Sequence, residues 1–152
     1  MIKEKTFVIF RKEETDSERH YERYKVPLKP GITILEALFY IQDYYDSLLA
    51  FRYSCRGAIC GSCGLTINKF PQLACKTQVE PITVKTHPRV PELVFGEITD
   101  WDPETEILIE PLPNMVVLKD LVVDREPFWR FYREIQPFID TEFEGKAPTS
   151  DL

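Results

Sequence analysis

Two early runs rich in apolar, β-branched and aromatic positions stand out: residues 6–11 (Thr-Phe-Val-Ile-Phe-Arg), with four apolar residues in succession, and 20–26 (His-Tyr-Glu-Arg-Tyr-Lys-Val), where Tyr and Val are set among charges. They predict two strands, joined by a charged turn around Glu13 to Arg19. The pattern then changes. Pro27, Pro30 and Gly31 punctuate the chain ahead of Thr33-Ile34-Leu35-Glu36, a capping box in which the Thr33 hydroxyl accepts from the Glu36 amide and the Glu36 carboxylate reaches back to the Thr33 amide. Behind it Ile34, Leu38, Ile41 and Tyr45 recur in steps of four, three and four, predicting a helix over residues 34–45 with one apolar face. Leu65-Thr66-Ile67, Leu73-Ala74-Cys75 and Ile107-Leu108-Ile109 read as short strands. Two strands, a helix and then more strands is the order of a small mixed sheet gripping one helix.

Residues 80–104 break this economy. Pro81, Pro88, Pro91 and Pro103 interrupt alternating runs such as Thr83-Val84-Lys85, and Asp100-Trp101-Asp102-Pro103 is turn-like. The segment is an insertion between two core strands, either a surface loop or hairpin or a docking element with Trp101 as anchor. After Pro111 a run of Val and Leu residues leads to Asp124, and a second helix is expected from about Pro127 to Gln136, with Asp124 or Glu126 as its N-terminal anion. Phe128, Trp129, Phe131, Tyr132 and Ile135 crowd two turns of it. One small sheet can cover one face of such a helix but not all five side chains, so the rest is expected to meet another polypeptide. Residues 141–152 are polar and aperiodic, as in a linker. The chain thus divides into a domain over residues 1–124, with its insertion at about 80–104, and a helix with linker over 125–152.

The chain has 152 residues, enough for one domain with an appendage, and its 43% hydrophobic content is ample for a core. A formal net charge of −6 makes nucleic acid and anionic membrane surfaces poor partners. No apolar stretch approaches the length of a membrane span, and residues 1–7 carry no apolar signal region. The expected location is a reducing cytoplasm, where metal clusters survive and disulfides are rare.

Four cysteines then become the informative residues. Cys55, Cys60 and Cys63 stand in Ser54-Cys55-Arg56-Gly57-Ala58-Ile59-Cys60-Gly61-Ser62-Cys63-Gly64, a C-x4-C-x2-C spacing, and Cys75 follows. That is the plant-type pattern in which four thiolates hold a [2Fe–2S] cluster. Three ligands from one short loop need a tight backbone, for which Gly57, Gly61 and Gly64 are expected to supply the freedom. Amides of the same loop can point at the sulfurs and stabilise the anionic cluster. The competing readings are a structural zinc site, which usually has two separated C-x2-C knuckles, a disulfide framework, which belongs to secreted chains, and a redox C-x-x-C, which leaves Cys55 and Cys75 without a role.

Other candidates carry less. His20 and His87 are isolated, without the paired motifs of a Rieske-type centre, and read as solvated side chains. No phosphate-binding glycine motif or nucleophile-base-acid order is present. Arg56, next to the first ligand, either offsets cluster charge or pairs with a partner, or is a plain exposed loop charge.

Phe51-Arg52-Tyr53-Ser54-Cys55-Arg56, Cys60-Gly61-Ser62-Cys63, Leu73-Ala74-Cys75-Lys76-Thr77, Glu110-Pro111-Leu112-Pro113-Asn114 and Lys119-Asp120-Leu121-Val122-Val123-Asp124 together closely resemble the iron–sulfur subunit of succinate dehydrogenase and fumarate reductase. So does Pro30-Gly31 with the helix behind it, and the match runs to about Ile139. The resemblance implies an α+β fold, a β-grasp, plant-ferredoxin-like domain, with its [2Fe–2S] centre on Cys55, Cys60, Cys63 and Cys75 and with Arg56, Gly57 and Gly61 lining it. It implies an electron-transfer subunit of an oxidoreductase, with no substrate site of its own. Single electrons would pass between the FAD of a flavoprotein partner and further clusters that lead to membrane-anchor subunits, at the cytoplasmic face of the membrane.

Three features depart from that family. Arg56-Gly57-Ala58-Ile59 lacks the glycine that commonly stands directly before the apolar residue preceding the second cysteine, which would alter N–H···S hydrogen bonds and hence the potential. Asn68-Lys69-Phe70-Pro71 stands where an Asn-Gly turn is usual, and residues 80–104 are longer than the family's connection. These variants are similar to prokaryotic branches, including thiol-driven fumarate reductases of methanogens. The two further cysteine motifs of the family's C-terminal helical domain have no counterpart after Cys75. The expectation is an N-terminal part of such a subunit or a naturally separate subunit of the complex, with a free ferredoxin and a zinc-stabilised interaction module as rivals.

Overall fold

Four consecutive apolar residues, Phe7, Val8, Ile9 and Phe10, are all buried, so the strand that carries them must be covered on both faces. In the computed structural model, which describes residues 3–15, 18–80 and 100–137, that strand is β1 (Glu4–Lys12). It lies inside a five-stranded mixed sheet. On one side β2 (Arg19–Pro27) runs antiparallel to it, from Glu4 opposite Pro27 to Lys12 opposite Arg19. On the other side β5 (Glu106–Glu110) runs parallel, with Ile107 beside Phe7 and Ile109 beside Ile9. Then come β3 (Gly64–Ile67), antiparallel to β5, and β4 (Phe70–Leu73) at the edge, giving the order β2-β1-β5-β3-β4. Pro71, which cannot donate to a ladder, is tolerated because β4 is an edge strand.

The expected helix is α1 (Ile34–Tyr44), and its capping box is formed: the Glu36 amide donates to Thr33 Oγ1 at 3.3 Å and the Thr33 amide to Glu36 Oε2 at 2.8 Å. Ile34, Leu38 and Ile41 face the sheet as the spacing predicted, with Leu35 and Ala37 widening the stripe. Tyr45 falls outside it. It caps the helix, stays exposed and donates its hydroxyl to the Lys25 carbonyl. The main core is the layer between α1 and the sheet, built on Phe7, Ile9, Ile67, Ile107 and Ile109.

Strand β4 lies earlier than the sequence pattern placed it. Asn68 and Lys69 both adopt positive φ (48° and 66°), as a two-residue type I′ hairpin requires, so pairing resumes at once with Phe70 opposite Ile67. Asn68 is held there because its buried side chain accepts from the Leu108 amide while its own amide donates to the Leu108 carbonyl. Ala74 and Cys75 therefore leave the ladder in a turn, and the Leu35 and Ile34 amides at the start of α1 donate to the Ala74 and Thr77 carbonyls. The segment with Cys75 is thus fastened to the helix N-terminus.

After β5 the chain makes a small hairpin of β6 (Val117–Lys119) and β7 (Val122–Val123), then helix α2 (Glu126–Ile135). Asp120, buried at the hairpin tip, docks it. Its carboxylate accepts from Arg11 Nε (3.0 Å) and from the amides of Lys12 (3.1 Å) and Ala50 (2.9 Å). Arg11 also reaches Asp46 (2.5 Å), Glu22 (2.7 Å) and the Tyr24 hydroxyl (2.7 Å). Burial alone would lower the guanidinium pKa, but Asp120 and Asp46 outweigh it and hold Arg11 above its ordinary value. Of the insertion, residues 81–99 lie outside the described residues, as does the expected linker at 141–152. Trp101 is half-buried beside a turn in which Asp102 accepts from the Thr105 hydroxyl and the Glu104 amide.

Candidate metal centre

The approach to the cysteine loop is pinned before the loop begins. Ala50 donates its amide to Asp120 and accepts from the Leu121 amide at 3.2 Å, which fixes where residues 51–54 run. Phe51 and Tyr53 then pack edge-on against Phe39 of α1, with ring centroids at 5.3 and 4.8 Å. Arg56 completes this cluster. Its guanidinium lies 5.2 Å from the Phe39 ring centroid and 5.2 Å from that of Tyr53, so the residue after the first cysteine is tied to the helix by cation–π contact.

The tight turn is not made where the sequence pattern placed it. Of the three glycines credited with it, only Gly61 has positive φ (71°). Arg56 (53°) and Ala58 (59°) take the left-handed conformation instead, and Gly57 does not. Gly64 serves close packing: a Cβ there would meet the Gly61 carbonyl oxygen and Leu112 Cδ1, both at 3.3 Å.

This backbone turns amides toward sulfur. The Gly57 amide donates to Cys55 Sγ at 3.3 Å, the Cys60 amide to the same sulfur at 3.4 Å, and the Ser62 amide to Cys60 Sγ at 3.4 Å. Hydrogen bonding from the Cys55 backbone, then from the Ser62 side chain and amide, brings the Cys60 thiol down to about 6. Cys63 is buried, and burial pushes its thiol up, against the hydrogen bond from the Cys75 backbone and with the Cys75 side chain adding to the rise. All four cysteines are free thiols, with Cys55 and Cys60 exposed and Cys75 half-buried. The side chains interact in pairs, Cys60 with Cys55 and Cys63 with Cys75. Among the described residues no three His, Cys, Asp or Glu side chains converge on a point suited to a single ion. Two thiol pairs, with amides already aimed at one of them, suit a binuclear cluster in which each iron takes two thiolates.

The loop lies at the surface: Arg56 is exposed, Ser62 half-buried, and Ile59 is 88% exposed. His20 is solvated and sits 3.1 Å from Glu22, while His87 lies outside the described residues. On one flank a groove of about 580 Å³ opens between the loop and α2, lined by Phe51, Arg52, Tyr53, Ser62, Arg125 and Trp129. Helix α2 differs from expectation in one respect. The sheet covers none of its faces, and Phe128, Trp129, Phe131, Tyr132 and Ile135 are between 41% and 69% exposed. The rings pack on one another instead, Phe128 against Trp129 at 5.0 Å. Its N-terminal anion is Asp124, which accepts from the Glu126 amide at 2.9 Å.

Two residues escaped the sequence reading. Asp120 anchors the lead-in to Cys55, and Arg125 donates from Nη2 to the Ser62 carbonyl at 2.9 Å, in the middle of the C-x2-C. Asp120 stands in the Lys119–Asp124 motif and Arg125 directly after it, but nothing in the order of residues says that positions 60–63 and 125 meet.

A ferredoxin-like sheet, with amide-lined thiols in a surface loop, defines an iron–sulfur protein by class. The chain belongs to the family described as 2Fe-2S iron-sulfur cluster binding domain, which matches residues 6–130, and its cofactor is accordingly a [2Fe–2S] cluster. It is 37% identical over 138 residues to the fumarate reductase iron–sulfur subunit of Haemophilus influenzae, a match covering 91% of this chain and 44% of that protein. To the mitochondrial succinate dehydrogenase iron–sulfur subunit of Candida glabrata it is 35% identical over 148 residues, covering 93% and 51%. An uncharacterised iron–sulfur protein of Methanocaldococcus jannaschii is 40% identical over 125 residues, covering 82% and 20%. The chain therefore spans about half or less of the length of these relatives. Among solved structures, the Mycobacterium smegmatis Sdh1 complex in the apo form contains a chain of the same fold, with TM-score 0.72 and 21% identity, covering 99% of this chain and 55% of that one. Among the described residues no helix is long and apolar enough to cross a membrane.

Proposed function

We propose that Cys55, Cys60, Cys63 and Cys75 each donate one thiolate to the [2Fe–2S] cluster, and that the chain is the electron-relay part of a succinate dehydrogenase or fumarate reductase-type complex. The cluster supplies one-electron chemistry when bound. The chain's own residues do the rest. Arg56, Phe39 and Tyr53 hold the first ligand against α1, while the Gly57, Cys60 and Ser62 amides offset negative charge on sulfur. The observation that carries the reading is this set of three amides already directed at cysteine sulfurs in an exposed loop. Electron transfer needs short distance more than shape, and an exposed loop on a rigid sheet provides the approach for an FAD-containing flavoprotein.

In this reading residues 1–124 are the ferredoxin-like domain, and α2 begins a bridge to a further iron–sulfur domain, covalent or separate, on the path to membrane-anchor subunits at the cytoplasmic face. The exposed aromatics of α2, Trp129 and Phe131 among them, are the surface that such a domain would cover. Substrate chemistry belongs to the flavin of the partner. Reconstitution of the chain with iron and sulfide tests the ligand assignment. The wild type should turn brown and bind two irons and two sulfides per chain, and Cys75→Ala should lose or destabilise the cluster because no other cysteine can substitute. A colourless protein with stoichiometric zinc would instead establish a structural zinc module. Co-purification with a flavoprotein tests the partner; a monomer that exchanges electrons with several unrelated enzymes would favour a free ferredoxin.

A further inference from the structure

Arg125 is placed by backbone contacts on either side of it. The amide of Asp124 donates to the Val116 carbonyl at 2.8 Å, and the carbonyl of Arg125 accepts from the Trp129 amide at 3.1 Å, in the first turn of α2. From this fixed base the half-buried side chain reaches across the groove. Nη2 donates to the Ser62 carbonyl at 2.9 Å and lies 3.5 Å from the Gly61 carbonyl, which also accepts from the Gly64 amide at 3.1 Å.

These carbonyls belong to two of the three peptide units between Cys60 and Cys63, Gly61–Ser62 and Ser62–Cys63. A trans peptide is planar, so its C=O and N–H point in opposite directions. The unit whose carbonyl is Gly61 O carries the Ser62 N–H, and that N–H donates to Cys60 Sγ at 3.4 Å. The Arg125 cation, 3.5 Å from the Gly61 carbonyl, lies on that side of the unit and favours turning the Ser62 amide toward the sulfur, while its closer contact at 2.9 Å holds the next unit, Ser62–Cys63. It also polarises that amide, because hydrogen bonds in a chain strengthen one another. Gly61, at φ +71° with nothing within 4 Å of where a Cβ would be, offers little resistance to this rotation.

We propose that Arg125 is a positioning residue that sets the reduction potential of the cluster through the Gly61–Ser62–Cys63 backbone. Reduction adds negative charge to the cluster, and a well-aimed, polarised N–H···S bond stabilises the reduced form more than the oxidised one. Arg125 thus raises the potential. Because it also opens α2, whatever covers the exposed face of that helix acts on the same side chain, and the potential becomes sensitive to docking. The inference rests on the reading that Cys60 and Cys63 are cluster ligands.

The test is a redox titration of the reconstituted full chain, followed by electron paramagnetic resonance, for the wild type, Arg125→Ala and Arg125→Lys at low and high ionic strength. Arg125→Ala should shift the equilibrium toward the oxidised cluster by roughly three- to tenfold, a tenfold shift being about 59 mV for one electron. Arg125→Lys, which can still donate to one carbonyl, should recover part of that shift. The difference should survive high salt, where the through-space effect of an accessible charge is screened. An unchanged potential with lowered thermal stability would make Arg125 only a tether, and a difference that vanishes in salt would make it only a nearby charge; either result overturns the proposal. A wild type that assembles no cluster would overturn the ligand assignment as well, so the two failures are distinguishable.

Discussion

Replacing Asp120 by Ala removes the carboxylate that joins the start of the β6–β7 turn, the end of β1 and the lead-in to Cys55. Its side chain is 1% exposed. Truncation leaves the Lys12 and Ala50 amides without their acceptor; both are part-buried, so each costs toward the lower end of the about 1–3 kcal/mol of a buried donor left unsatisfied. Arg11 loses its most buried partner but keeps Asp46 and Glu22, whose side chains are 25% and 40% exposed. Its share is therefore smaller than the about 3–5 kcal/mol expected when a buried charge is orphaned outright. The expected loss is about 3–5 kcal/mol, a large part of the roughly 5–15 kcal/mol that a domain possesses. Asp120→Asn should lose about half as much, because its NH2 must face either Arg11 or the Ala50 amide. Equilibrium urea unfolding followed by circular dichroism measures this as a lower midpoint at constant slope. Since Ala50 starts the run into Cys55, the Ala variant should also surrender its iron to a chelator faster than the wild type. A stability loss below about 1 kcal/mol would refute the reasoning, because it would mean the Arg11 network holds the hairpin without Asp120.

Three further outcomes are expected. Ala58→Gly should stabilise the chain by about 0.5–1 kcal/mol, because Ala58 sits at φ +59° where a Cβ is strained, and a lower urea midpoint would contradict this. Thr33→Ala should cost about 1 kcal/mol by opening the capping box of α1, read from the same unfolding curves. Glu110 is fully buried, where desolvation raises its carboxyl pKa against the opposing hydrogen bond from Tyr21 and the charge of Lys69. A raised folded pKa favours folding below the ordinary value of about 4.3 and loses that contribution as pH climbs through the raised one. Wild-type stability relative to Glu110→Gln should therefore decline as pH rises above about 4.3 and through the raised value; a difference that grows with pH would show the carboxylate to be the favoured buried form.

What depends on spacing along the chain is legible in the order of residues alone. The cysteine pattern, the capping box at Thr33 and Glu36, the apolar step along α1 and the strands around Phe7 and Ile107 are all local regularities, and local physics reads them directly. Their failures have equally local causes in conformation. Pairing in β4 moved to residues 70–73 because Asn68 and Lys69 both turn left-handed, which a residue other than glycine gives little warning of. The tight turn of the cluster loop passed to Arg56 and Ala58 because hydrogen bonds to sulfur and the Phe39–Tyr53 stack fix those residues where intrinsic preference would not. Which distant residues serve the site is set by folding. Asp120 meets Ala50, and Arg125 meets Ser62, through a hairpin and a helix start that no periodicity relates to the cysteines. It also decided that α2 stands clear of the sheet, since an amphipathic pattern tells which side chains need cover but not whether this chain supplies it.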